Sequence, residues 1–214
     1  MIKNNCEGQI DTGKMMRKLM QKASENGIQF LMGAKIERIL QHDSETGVLL
    51  SNGTTILSHQ LLVCTNGFAK QLLPEIEVVP ARAQVLVTSP IAGLKIEGCF
   101  HFDEGYYYFR NIDNRVLLGG GRNLDFAGET TTEFKNTPLI VNRLKQMLDE
   151  IIIPGHDYQI EALWSGIMGM GESKIPVVKE VSPNIYCAVR LGGMGVAIGS
   201  LVGMEVVDLM MSNK

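Results

Sequence analysis

The end of this sequence is its strongest structural constraint: a β-prone run stops at a glycine turn and continues as a helix. Asn184-Ile185-Tyr186-Cys187-Ala188-Val189-Arg190-Leu191 reads as a strand, Gly192-Gly193-Met194-Gly195 as a tight loop and Val196 to Met211 as a helix. Strand, glycine turn and helix in that order make a cradle for an anion or a polar edge. The first helical N–H groups have no partner and carry a partial positive charge. Glycines let a ligand approach the backbone because no Cβ stands in the way. The spacing is GxGxxxG (Gly193, Gly195, Gly199), and no second strand with a ribose-binding acid is expected before Lys214. The small residues Gly199, Ser200 and Gly203 suit equally a helix packed closely under a sheet, so a purely structural turn stands beside the cradle.

The first segment has the same α/β character. Asp11-Thr12-Gly13 is a helix start, and Met15, Met16, Leu19, Met20 and Ala23 recur at helical spacing up to Asn26-Gly27. Ile28 to Met32 and Gln60 to Thr65 read as strands. Val48 to Leu50 and Thr54 to Leu57 flank Asn52-Gly53 as a hairpin. Between the two ends, Val78 to Thr88, Cys99 to Phe102, Tyr106 to Asn111 and Val116 to Gly120 are β-rich runs separated by turn residues, which imply an antiparallel sheet. An amphipathic helix is expected over 134–153, with Leu139, Ile140, Leu144, Met147, Leu148 and Ile151 on one stripe. A further strand is expected over 158–168. The fold class is α/β, α+β overall: a partial Rossmann-like domain of residues 1–76 and 172–214, with an antiparallel domain of residues 77–171 inserted.

Composition narrows the function classes. Of 214 residues, 45% are apolar and 20% charged, enough apolar surface for a packed core and against disorder. A net charge of −3 gives no basic footprint for nucleic acid or anionic lipid. No membrane span is expected, the longest uncharged apolar run being Leu191 to Met204. The first residues lack the apolar core of a secretory signal. Cys6, Cys64, Cys99 and Cys187 are scattered, which points to reduced thiols in the cytoplasm, with Cys64 and Cys187 expected in buried strands. His42, His59, His101 and His156 read as loop or solvated residues, and no metal site is visible.

Several segments in fixed order carry a family resemblance. They are Thr65-Asn66-Gly67-Phe68-Ala69, Pro80 to Val87, Tyr106-Tyr107-Tyr108-Phe109-Arg110 with Arg115-Val116-Leu117-Leu118-Gly119-Gly120, Trp164-Ser165-Gly166 through Pro176, and Asn184 to Gly199. Together the chain resembles the D-amino-acid-oxidase-like family of FAD-dependent amine oxidoreductases, which includes glycine and sarcosine oxidases. The resemblance covers the family's C-terminal portion; no strand with the family's opening GxGxxG loop is found before Gly8. It implies a gene fragment, a truncated chain or one of two polypeptides, and leaves room for a second chain that supplies the missing unit. Part of the parallel sheet should then be unpaired.

The resemblance implies FAD as cofactor, with Ile36, Thr65, Asn66, Gly67, Gly192, Gly193, Met194, Gly195 and Val196 as cofactor-binding residues. It implies oxidation of an amine or amino-acid-like C–N bond by hydride transfer to the flavin, with no side-chain base required. Tyr106, Tyr108, Arg110, Met168 and Arg190 are the substrate-side residues. Met168 stands where amino-acid oxidases of the family carry an arginine for the substrate carboxylate, so either the substrate lacks that group or Arg110, Arg122, Lys174 or Arg190 replaces it. For Arg190 a surface ion pair is an equal alternative. In a strand, Tyr106, Tyr108 and Arg110 share one face and Tyr107 and Phe109 the other; which face meets substrate stays open. The competing functions are a non-catalytic remnant or assembly subunit with a structural glycine loop, and a phosphate-binding module, which would lack a Gly-Lys-Ser/Thr loop.

Overall fold

Period-two alternation along the middle of the chain builds one sheet. The computed structural model describes residues 4, 6, 8–41 and 45–212; His42 lies outside them. The chain divides into two compact units, one of Ala81–Ile167 with residues up to Ile10, the other of Asp11–Pro80 and Met168–Lys214.

In the first unit, the order of elements sets a five-stranded sheet. Numbered in chain order, the strands of the molecule are β1 (Ile36–Gln41), β2 (Thr46–Leu50), β3 (Thr55–Ser58), β4 (Leu61–Val63), β5 (Val79–Thr88), β6 (Cys99–Phe102), β7 (Tyr107–Ile112), β8 (Arg115–Gly120), β9 (Ile160–Met170), β10 (Val177–Ser182) and β11 (Ile185–Val189). The sheet runs β6-β7-β8-β5-β9, and β6–β7, β7–β8 and β8–β5 pair antiparallel. Register decides the faces. Leu86, Tyr107, Val116 and Leu118 bury against Ile140, Leu144 and Met147 of helix α2 (Pro138–Met147), with Phe109 packed beside them. Each such large apolar side chain contributes roughly 1.5–3 kcal/mol by leaving water. The opposite face carries the row Val85, Gly119, Tyr108 and His101.

The α2 periodicity begins at Phe134, but the helix begins at Pro138, whose fixed φ suits the first helical position. Residues before it are tied elsewhere: Lys135 N donates to Ser165 Oγ at 3.0 Å, and Thr137 N to Gln84 Oε1 at 2.7 Å. Past Met147 the chain widens into a π-turn, Leu148–Ile152, and Leu139 and Ile151 face solvent instead of completing the expected stripe.

In the second unit, Asp11 caps helix α1 (Thr12–Glu25), its carboxylate accepting from Lys14 N at 2.9 Å. Asn26 and Gly27, at φ +80°, end it. None of the apolar stripe of α1 is buried among the described residues. Ile28 to Met32, expected as a strand, is irregular and exposed: Ile28 N turns back to Ala23 O, and no described strand offers a ladder partner. The Asn52-Gly53 hairpin forms as read, pairing β2 with β3 in the sheet β1-β2-β3. The third sheet runs β10-β11-β4, with β4 at its edge. Strand β10 had no counterpart in the sequence reading; Val177, Val178 and Val181 before the Pro183-Asn184 turn were its signal. Cys187 is buried in β11, but Cys64, just past the end of β4, is exposed; His59, His101 and His156 are exposed.

Helix α3 spans Gly195–Ser212. It is long and apolar enough to cross a bilayer by length and composition, although it carries Glu205 and Asp208. Val202 and Val206 of α3 pack on Tyr186 and Ala188 of β11.

Candidate functional site

Strand β11 is held on every side. It pairs antiparallel with β10 and parallel with β4, Ile185, Tyr186 and Cys187 facing Leu61, Leu62 and Val63. Cys187 and Val189 join Val63, Ala69, Ile76 and Val78 on one face, while Tyr186 and Ala188 meet α3 on the other. A strand so fixed gives the turn that follows it a defined origin. Because β4 and β11 run the same way, their carboxyl ends emerge together, the position where α/β sheets bind ligands.

Asn66 joins the two ends. Its Oδ1 accepts from Arg190 N at 3.0 Å and from Leu191 N at 3.2 Å. Its backbone is left-handed, φ +46°, a conformation asparagine tolerates better than most residues. Gly169 lies beneath it, where any Cβ would run into the Asn66 carboxamide and Val78. The glycine turn is then closed by Met194 N to Leu191 O, 2.8 Å, and anchored by Gly192 N to Gly169 O, 3.0 Å.

A cradle needs donors and room. The first turn of α3 leaves its N–H groups without intrahelical partners, and those of Gly193, Gly195 and Val196 find no other acceptor among the described residues. A Cβ on Gly192 would meet nothing within 4 Å, so that flank of the turn is open. At Gly193, φ +81°, the Met168 sulfur sits 3.5 Å from the Cβ position. These features fit the polar rim of a flat ring that carries negative charge.

The structure thus brings together Thr65, Asn66, Gly67, Met168 and the turn Gly192 to Val196. Ile36 does not join them: it opens β1, opposite Leu50, in a different sheet of the same unit. The guanidinium of Arg190 is engaged away from the turn, Nε donating to Ile175 O at 3.0 Å and the head 3.6 Å from Glu77 Oε2. That geometry is the ion pair of the two alternatives.

In the first unit, Tyr107 and Phe109 face the core, which leaves Tyr108 and Arg110 on the other face. Burial pushes the Tyr108 phenol up, keeping it a neutral donor, and its hydroxyl lies over Gly119, where a Cβ would overlap it. Arg110 donates to Ile10 O at 2.6 Å. Tyr106 sits one residue before β7 and meets Phe126 edge-on, ring centroids 6.1 Å apart.

One buried network escaped the sequence reading. Arg82 makes a two-pronged pair with Glu129, Nε to Oε2 at 2.9 Å and a terminal nitrogen to Oε1 at 2.7 Å. Gln84 Nε2 donates to the same carboxylate and to Thr137 Oγ1. The only hint was a polar pair two residues apart in a strand of small and apolar residues. The network pins the segment after β8 to β5.

A glycine turn follows the carboxyl end of β11 beside the parallel β4, and a five-stranded sheet makes up most of a separate compact unit, so the architecture is mixed α/β. The family model for FAD-dependent oxidoreductases matches residues 3–209, and the chain belongs to that family. The bifunctional protein ThiO/ThiG of Nostoc sp. strain PCC 7120 is 21% identical over 213 residues, covering 97% of this chain and 31% of that protein. The glycine oxidase of Geobacillus kaustophilus superposes with a TM-score of 0.77 at 17% identity, over 92% of this chain and 53% of that one. The L-proline dehydrogenase of P. horikoshii gives 0.74 at 19% identity, over 95% and 56%. The chain therefore spans about a third of that curated relative and about half of these solved structures. As the expected resemblance held, so did the mixed fold class, and the family's cofactor is FAD.

Proposed function

We propose that this chain is part of a flavoprotein that oxidises an amine or amino-acid-like C–N bond. FAD, when bound, accepts the hydride from the carbon next to the amine nitrogen. The chain's own task is to orient and stabilise. The N–H groups of Gly193, Gly195 and Val196 hold the negative charge of the cofactor's polar rim, and Asn66 keeps them in place by gripping Arg190 and Leu191. Thr65 and Gly67 flank that grip, and the Met168 thioether borders the turn. The unit of residues 1–76 and 172–214 is the cofactor side, and residues 77–171, with Tyr106, Tyr108 and Arg110, the substrate side. Four free cysteines suit a reducing cytoplasm.

The observation that carries this reading is the open, donor-bearing glycine turn clamped by Asn66. The test is a screen of amines and amino acids for anaerobic bleaching of flavin absorbance near ~450 nm in the FAD-loaded protein. Bleaching by at least one such compound is expected. A flavin that stays oxidised with every amine and amino acid favours the other reading, a non-catalytic assembly subunit, to which the uncharged Met168 lends support.

A further inference from the structure

Asparagine and aspartate supply most of the left-handed, non-glycine positions among the described residues; Arg190, at φ +65°, is the one cation. That conformation is unfavourable for a residue with a Cβ and persists only where neighbouring contacts over-determine it. At Arg190 they do. Its N donates to Asn66 Oδ1 at 3.0 Å, its Nε to Ile175 O at 3.0 Å and its Nη1 to Glu77 O at 3.2 Å. A Cβ at Gly171 would overlap the Arg190 Cδ, so that glycine makes room for the stem.

The partners sit on different segments of one compact unit. Asn66 follows β4, Glu77 leads into β5, and Gly171 and Ile175 lie between β9 and β10. A guanidinium spans such partners because its N–H groups leave one rigid plane in several directions, which an ammonium cannot copy. The Glu77 carboxylate adds little to the hold: it is 3.6 Å from Nη1 and its side chain is 89% exposed, and exposed ion pairs are weak. The two carbonyls do more, because the Arg190 side chain that bonds them is itself only 12% exposed. One residue further on, the chain enters the turn that Met194 N closes on Leu191 O and Gly192 N anchors on Gly169 O.

We propose that Arg190 is a positioning residue: its side chain, stretched to Glu77 O and Ile175 O, holds its own backbone left-handed and so aims the glycine turn. The role needs no contact with substrate. Its consequence for flavin rests on the amine-oxidising reading; its hold on the turn does not.

Two variants test it. Arg190→Asn accepts the left-handed backbone but lacks the fork, and Arg190→Lys keeps the charge and the stem. Hydrogen exchange is read in the flavin-free protein at the bonded amides of Leu191, Gly192 and Met194, with the amides of β11 as internal reference. Exchange at the turn is expected to be about tenfold faster or more in the Asn variant and about threefold in the Lys variant, with β11 unchanged. FAD titration of the same proteins is expected to show affinity about tenfold weaker in the Asn variant, restored in part by lysine. Wild-type exchange at the turn in the Asn variant overturns the proposal whatever the FAD affinity, as does an equal acceleration throughout β11. If the Asn variant does not fold, wild-type exchange in the Lys variant overturns it instead. Faster exchange at the turn with wild-type FAD affinity upholds the positioning role and contradicts the cradle reading. A wild type that binds no FAD contradicts that reading as well, and the exchange result still decides the role of Arg190.

Discussion

Replacing Glu129 with alanine lowers the unfolding free energy of the antiparallel unit by about 3–5 kcal/mol, the usual result of removing one partner from a buried pair. Arg82 is 4% exposed and Glu129 1%, so the guanidinium left behind is shut off from water and loses its directly bonded carboxylate, with Glu133 and Asp125 acting on it only as weaker, unbonded charges. Its remaining contacts, Gly128 O at 3.2 Å and Glu133 O at 3.3 Å, are carbonyls and do not neutralise it. Gln84 loses an acceptor at the same time. Glu129→Gln keeps the shape and an acceptor, and costs less. A urea melt reads both; with a slope of about 1–3 kcal/mol per molar the Ala variant shifts the midpoint by more than about 1 M. A shift below the Gln variant's would mean that the pair contributes nothing specific.

Asn66→Ala has the second large effect, on the cofactor side. It strips the acceptor from Arg190 N and Leu191 N and places alanine at φ +46°. Two unsatisfied N–H groups and a left-handed alanine cost about 2–4 kcal/mol together. Asn66→Asp retains the acceptor oxygen and most of the stability. Thermal unfolding separates the two variants, and FAD affinity follows: about tenfold weaker or more in the alanine variant, because the glycine turn no longer has a fixed origin. Equal affinity in both would show that the clamp has no bearing on the cofactor.

Much of the fold was legible because local chemistry decided it. Asp11 and Gly27 bounded α1, Asn52-Gly53 made its hairpin, and alternation around Tyr107 and Phe109 set the β7 register. Where the reading failed, a tertiary partner decided. Residues 28–32 have strand-like apolarity, but a strand exists only beside another, and none is found there among the described residues. Helix α2 starts late because Gln84 and Ser165 hold the residues before Pro138. At the candidate site, the glycine turn and Asn66 could be named in advance from their residue types. The grip of Asn66 on Arg190 N could not, since it spans 124 positions of sequence. Nor could sequence rank the four cations, because only contacts tell a paired arginine from an unpaired one.

The most direct test of the glycine cradle is FAD binding by Gly192→Asn. Asparagine accepts the φ of +58° at this position, and its Cβ meets nothing within 4 Å, so the variant folds with a near-native unfolding midpoint. Its side chain occupies the open flank of the turn, and FAD affinity falls about tenfold or more. A variant that holds flavin as tightly as the wild type would contradict a backbone cradle at this turn.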